Sequence, residues 1–121
     1  MRAIRGAISV AGNTRAAILA AARDLLQEMV AANRIAESEM VSIFFTLTRD
    51  LDQAFPAEAA RDVGFRHVPL LCMQEIPVPG ALPMVLRVLM HIDRAVSPSE
   101  VRHVYMGEAR ELRPDLEWEG T

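Results

Sequence analysis

One charged side chain interrupts the most apolar stretch of this sequence. Arg87 stands at the centre of the run MVLRVLM, residues 84–90. A charge in such a stretch is seldom buried without a partner. Two interpretations are open: Arg87 faces water or pairs with a core carboxylate, or it points into a pocket that binds an anion. A carboxylate ligand would suit the second, because guanidinium binds carboxylates through two parallel hydrogen bonds.

Two further places put polar chemistry in apolar surroundings. Cys72 and Glu75 lie at the end of a predicted strand, where functional side chains are often found, and Arg5 precedes Gly6 inside another. Each also has an ordinary structural interpretation: Cys72 as a small buried hydrophobe, Glu75 as a solvated loop residue and Arg5 as a surface residue. Residue types and spacing therefore predict an anion-binding domain with arginine donors, and they name no reaction.

The sequence carries no pattern typical of a metal site or a bound cofactor. The histidines, His67, His91 and His103, are scattered, and neither CxxC nor HExxH spacing occurs. Neither a glycine-rich dinucleotide fingerprint nor a P-loop is present. All 13 basic residues are arginine, so no lysine is available for a Schiff base. We therefore expect no metal and no cofactor.

Composition limits the class of protein. The chain has 121 residues, of which 51% are hydrophobic, and this suits one domain over residues 1–121 with a real core. A net charge of −3 argues against a general nucleic-acid binder. No apolar run reaches the roughly 18 residues that span a membrane, and no signal peptide is evident. With a single cysteine, Cys72, suited to a reducing compartment, we expect a cytoplasmic protein.

Apolar and β-branched runs predict the strands. These runs occupy residues 3–10, 40–48, 68–73 and 84–92, with short extended pieces at 104–106 and 110–112. Because some of these strands are apolar on both faces, helices or a partner subunit must cover them. The prolines and glycine of residues 76–83 predict an ordered loop, and the tail after Pro114 is predicted to be loose.

Capping residues predict the helices. Thr14 can cap a helix that continues to about Ala32, with Asn33 as its stop signal. A short helix is expected from Phe55-Pro56 to Gly64, and the capping box SPSE at residues 97–100 predicts one further helical turn. The expected fold is a single α/β (α+β) domain with about five mixed strands and two or three helices.

Several segments together resemble one enzyme family, the small, monofunctional, trimeric chorismate mutases. The similar segments are RAIRGA at residues 2–7, FPAEAAR at 55–61, VPLLCMQE at 68–75, LRV at 86–88, RHVY at 102–105 and LRPDL at 112–116. They keep one order along nearly the whole chain, and their combination is highly specific. The resemblance implies a pseudo-α/β barrel packed as a homotrimer, with active sites in clefts between subunits and chorismate as the substrate.

The resemblance also implies roles for individual residues. Arg87 would bond the ether oxygen and one carboxylate of the substrate, and Glu75 and Cys72 would contact the ring hydroxyl. Arg5 and Tyr105 would hold the enolpyruvyl carboxylate. The residues expected to line the cleft from the neighbouring subunit, or to lie near its mouth, are Phe55, Ala57, Arg61, Leu112 and Arg113.

Two positions depart from the family pattern. Glu58 stands where the family often has lysine, and an acid at the cleft rim would weaken the steering of a dianion unless Arg61 or Arg113 compensates. Leu71 stands where a small hydroxyl residue is common, so one polar contact to substrate is expected to be missing.

Two other functions remain open at this point. One is a non-catalytic trimeric module that binds a metabolite on the same fold, since a fold does not determine a function. The other is a small trimeric enamine/imine deaminase of similar fold, although the CMQE segment at residues 72–75 argues against it.

Overall fold

A mixed five-stranded sheet forms the centre of the molecule. The computed structural model describes residues 1–112, so Arg113 and the predicted loose tail lie outside the described residues. The strands are β1 (Arg2–Ser9), β2 (Met40–Leu47), β3 (Leu70–Gln74), β4 (Val85–Ile92) and β5 (Val104–Met106). Their order in the sheet is β3-β2-β4-β1-β5. Strand β4 is antiparallel to β1 and β2, whereas β3 runs parallel to β2 and β5 parallel to β1.

Two α-helices accompany the sheet, α1 (Arg15–Asn33) and α2 (Ala57–Asp62). Short 3-10 helices cover Glu37–Glu39, Pro98–Glu100 and Gly107–Leu112. The predicted mixed α/β (α+β) fold with about five strands and few helices is therefore confirmed. No helix of the described part of the chain is long and apolar enough to cross a membrane.

Of the two predictions for the ends of α1, one is confirmed and one is wrong. The Oγ1 atom of Thr14 accepts a hydrogen bond from the backbone N–H of Ala17 at 3.1 Å, as the capping prediction required. Asn33 was predicted to follow the last helical residue and end the helix, and this prediction is wrong. Asn33 is the buried last helical residue, and Arg34 takes the left-handed conformation with φ of +50°. The reason is that the Asn33 amide is engaged in a tertiary contact with Arg102.

The main core lies between α1 and one face of the sheet. Fully buried residues of the strands, among them Ile4, Phe45 and Met90, pack in one cluster with Leu25 and Met29 of α1. Burial of each such side chain contributes about 1.5–3 kcal/mol relative to exposure. This layer leaves the other face of the sheet for the functional residues.

A close approach of α1 to the sheet explains one glycine. A Cβ atom at Gly6 would lie 2.5 Å from Sδ of Met29 and 3.0 Å from Cδ1 of Leu25. Glycine at this position lets α1 pack directly onto β1. Since β1 also carries Arg5 and Ala7, the contact fixes the strand beneath them.

The C-terminal part of the described chain corrects another prediction. Residues 110–112 were expected to be extended, but they belong to the 3-10 helix Gly107–Leu112. Gly107 turns the chain with φ of +61°, and Ala109 becomes buried in a small cluster with Ala7, Val85 and Tyr105. The left-handed conformation of Gly107 turns the chain out of the extended conformation before residues 110–112 are reached.

The face of the sheet opposite α1 is largely uncovered in the single chain. Leu71 is 51% exposed and Met73 is 43% exposed, and both lie on this open face of β3. Exposed apolar side chains that cluster on one sheet face are typical of a surface that binds another protein.

Candidate active site

One row of paired residues crosses the open face of the sheet. Register places Thr46 opposite both Met73 and Arg87, and it places Ala7 opposite both Arg87 and Tyr105. Paired residues in a sheet point to the same side, and neighbouring strands lie about 4.8 Å apart. Residues that are distant in sequence, among them Thr46, Arg87 and Tyr105, are thus brought into one row on this face.

This row forms the floor of a pocket of about 240 Å³. Among its lining residues are the two predicted cations, Arg5 and Arg87, together with Tyr105 and Thr46. The side chain of Arg87 is 41% exposed, so its guanidinium is accessible from the pocket. The structure therefore brings together three of the predicted site residues in an arrangement suited to a carboxylate-bearing ligand.

Glu75 closes one side of this group. Its Oε2 atom accepts a hydrogen bond from Oγ1 of Thr46 at 2.7 Å and lies 3.1 Å from Nε of Arg87. The backbone N–H of Glu75 donates to the carbonyl of Leu47 at 2.8 Å, which extends the pairing of β3 past its last residue. Arg87 therefore contacts a carboxylate and also lines a pocket, and the binding of an anion in that pocket stays a prediction.

Cys72 and the residues around α2 lie elsewhere in the single chain. Cys72 pairs with Phe45 on the core side of β3 and lines a second hollow of about 240 Å³ together with Phe55, which is 72% exposed. Burial raises the pKa of the Cys72 thiol, and a hydrogen bond with the backbone of Ala57 opposes this only in part. At neutral pH the sulfur is therefore protonated and poorly nucleophilic.

Comparison with known proteins shows the family of this chain. The family model described as chorismate mutase type I matches residues 1–116. The chain belongs to the type I chorismate mutase family. It is 52% identical over 118 residues to "Chorismate mutase AroH" of Thermus thermophilus, covering 97% of each chain. It is 38% identical over 117 residues to the protein of the same name from Bacillus subtilis, covering 96% of this chain and 92% of that one.

A solved structure supports the same assignment. The chorismate mutase from Clostridium thermocellum superposes with a TM-score of 0.90 at 44% identity, covering 92% of this chain and 99% of that one. The resemblance seen in the sequence is thus confirmed, and so is the prediction of chorismate mutase function. The non-catalytic alternative is not favoured.

The other predicted residues of this chorismate mutase that the structure describes lie at different places on the single chain. Leu112 packs against the cluster that contains Tyr105, close to the Arg87 pocket. Leu71 is exposed on the open face, and Arg61 is exposed on α2. Arg113 lies outside the described residues.

Glu58, which departs from the family pattern, has a partner that the sequence did not indicate. Arg15 at the start of α1 contacts both Glu58 oxygens, at 2.6 and 3.3 Å. This pair offsets the charge of Glu58 locally, whereas the sequence had suggested only Arg61 and Arg113 for that purpose. The pairing depends on how α1 lies against α2, which no local pattern reveals.

Thr46 is the site residue that the sequence analysis missed. It lines the pocket and touches Glu75, yet a threonine in an apolar strand is unremarkable by type. The available signal was the alternation in β2, where Ser42, Thr46 and Thr48 share one face. Within residues 1–112, no three His, Cys, Asp or Glu side chains are grouped so as to hold a metal ion.

Proposed function

We propose that this chain rearranges chorismate to prephenate in the pocket that contains Arg87. The observation that supports this most directly is the cluster of Arg5, Arg87 and Tyr105 in a pocket of about 240 Å³ on the open face of the sheet. The reaction is an intramolecular pericyclic rearrangement, so it needs neither a proton transfer nor a covalent intermediate. The protein then has two tasks, which are to hold the substrate in its reactive conformation and to stabilise charge that develops in the transition state.

Arg87 performs the electrostatic task. As the C–O bond breaks, negative charge grows on the ether oxygen, and a guanidinium already in place stabilises it without reorganisation. That charge is absent from the ground state, so the interaction lowers the barrier more than it improves substrate binding. The position of Arg87 at the centre of a rigid strand, paired on both sides, suits such a preorganised donor.

Orientation of the substrate falls to the groups around Arg87. Arg5 and Tyr105 would hold the enolpyruvyl carboxylate. Glu75 would accept a hydrogen bond from the ring hydroxyl of the substrate. Holding the flexible side chain over the ring removes part of the entropic barrier before the reaction begins. Cys72 would contact the ring hydroxyl as a neutral thiol, since burial raises its pKa.

The active site is proposed to be completed in a homotrimer. Phe55 is 72% exposed, and Leu71 and Met73 are each more than 40% exposed, so a partner subunit would bury a substantial apolar area. In this arrangement Phe55, Ala57 and Arg61 of one subunit would cover the Arg87 pocket of the next. The pseudo-α/β barrel domain implied by the resemblance, packed as a homotrimer, stays part of this proposal. We also propose a cytoplasmic location, which suits a chain whose single cysteine cannot form a disulfide within it.

The experiment that tests the proposed function follows the ultraviolet absorbance of chorismate after the purified protein is added. We expect catalysed loss of the chorismate signal with prephenate as the only product. Saturable binding of chorismate without turnover would instead identify a metabolite-binding module and would refute the proposal.

A further inference from the structure

The hydroxyl of Thr46 lies close to both the acidic group of the site, Glu75, and its basic group, Arg87. Thr46 lies on β2 directly opposite Arg87 on β4, and its Oγ1 donates to Oε2 of Glu75 at 2.7 Å. Oε2 of Glu75 also lies 3.1 Å from Nε of Arg87. Thr46 and Arg87 therefore approach one oxygen of one carboxylate from two neighbouring strands.

The contact between Arg87 and Glu75 is close but incomplete. Nε of Arg87 is buried, and within the described residues its N–H has no hydrogen-bond partner of acceptable geometry, Glu75 included. A fully formed arginine–carboxylate pair is instead bidentate, with two parallel and well-aligned bonds. The carboxylate is thus held beside the guanidinium without being aligned with it.

We propose that Thr46 is a positioning residue that keeps the Glu75 carboxylate from closing a full ion pair with Arg87. Its hydrogen bond fixes Oε2 at the β2 side of the pocket. Without that bond the carboxylate would rotate toward the guanidinium, because a buried N–H without an acceptor is unfavourable. A closed pair would neutralise the cation that has to meet the developing oxygen charge. This inference rests on the proposed function of Arg87.

The test replaces Thr46 by Val, which keeps the branched shape and removes the hydroxyl, and by Ser, which keeps the hydroxyl. We expect Thr46→Val to lower kcat about tenfold, as for the loss of one hydrogen bond to a charged group, with little change in KM. Thr46→Ser should retain most of the kcat. Thr46→Ala also removes the hydroxyl and should have the same effect as Thr46→Val. If one of these two variants does not fold, the other still provides the measurement.

A matched control removes another hydroxyl from the same face of the same strand. Ser42 bonds His91 and does not touch Glu75, so Ser42→Ala should leave kcat close to that of the wild type. Melting temperature and oligomeric state are measured on every variant, which separates a loss of positioning from a loss of fold.

A double variant isolates the proposed mechanism. In a Glu75→Gln background the side-chain amide is neutral and cannot neutralise the charge of Arg87. Adding Thr46→Val should therefore lower kcat far less than it does in the wild type. An equal loss in both backgrounds would overturn the proposal, as would a folded Thr46→Val variant with normal kcat or a Thr46→Ser variant as impaired as Val. A wild-type protein that does not convert chorismate would instead refute the proposed function.

Discussion

The side chain of Asn33 forms hydrogen bonds with both backbone polar groups of one distant residue, Arg102. Its Nδ2 donates to the carbonyl of Arg102 at 2.9 Å, and its Oδ1 accepts from the N–H of Arg102 at 2.8 Å. Nδ2 also donates to the carbonyl of Met29 at 3.0 Å. Asn33 is only 7% exposed, so these bonds form in an environment where unpaired polar groups are costly. They join the end of α1 to the segment that leads into β5 and Tyr105.

Replacement of Asn33 should therefore destabilise the fold more than its helix-end position suggests. We expect Asn33→Ala to lower the free energy of unfolding by about 2–3 kcal/mol, because it removes three hydrogen bonds to backbone groups at buried and part-buried positions. Denaturant unfolding measures the effect. The matched control is Asn13→Ala, since Asn13 also makes two side-chain bonds, to Asp52, but at an exposed site. Equal losses in the two variants would contradict this account.

Substitution of Arg87 should affect the rate and not the fold. Arg87→Ala removes the charge, and Arg87→Lys keeps it without the planar fork, so both should lower kcat by orders of magnitude. Loss of a preorganised donor of this kind typically costs about 3–4 kcal/mol of transition-state stabilisation. The effect on KM should be smaller. Steady-state kinetics and thermal melting on the same sample provide the measurement, and a folded Arg87→Ala variant with near-normal kcat would end the proposed mechanism.

A cleft shared between subunits should allow complementation. Arg87→Ala and Arg61→Ala chains, each strongly impaired alone, are mixed in equal amounts, unfolded together and refolded. Over all trimers that form at random, about a quarter of the clefts would combine an intact Arg87 from one subunit with an intact Arg61 from the next. Activity should rise toward about that fraction of the wild-type value. If the hybrids are no more active than their parents, Arg61 does not act across the interface. Light scattering should give the mass of a trimer.

Cys72 should act as a neutral contact and not as a nucleophile. Cys72→Ser should keep most of the activity, since a pericyclic step needs no thiolate. Burial raises the pKa of this thiol, so its alkylation should be slow at neutral pH and accelerate only in alkaline solution. The rate of modification and the activity of the Ser variant check both points. Complete loss of activity in a folded Cys72→Ser protein would be inconsistent with this role.

Acid stability should depend on Glu39. Its two oxygens accept hydrogen bonds from Arg94, both at 2.8 Å, and this lowers its pKa from 4.5 to about 2. A carboxyl with a depressed pKa stabilises the fold above its unfolded pKa, and the contribution is lost as the pH falls from there through about 2.

The difference in melting temperature between the wild type and Glu39→Gln measures this contribution. It should be largest near about pH 7 and should shrink steadily below about pH 4.5. Arg94→Gln should lose the same pH dependence, although it also removes bonds to the carbonyls of Asn33 and Arg34. A gap between wild type and Glu39→Gln that is independent of pH would show that the ion pair is not its cause.

Local patterns in the sequence were sufficient for most of the elements and for part of the site. Thr14 followed by apolar residues at helical spacing determined where α1 begins, because capping and amphipathicity act over a few residues. The β-branched run in β2 and the apolar run in β4 determined those strands for the same reason. Arg87 was identified because its charge contradicts its surroundings, and the family motifs then supplied its partners.

The arrangement of those elements was decided only by the tertiary structure. The row from Thr46 through Arg87 to Tyr105 depends on strand order and register, and the residues joined in it are tens of positions apart. Such pairing leaves no periodicity in the sequence, so the contact of Thr46 with Glu75 could not be anticipated. Asn33 shows the same limit at a helix end. By type it is a stop signal, but its bonds to Arg102 outweigh that preference, because satisfying buried polar groups contributes more free energy than a local propensity.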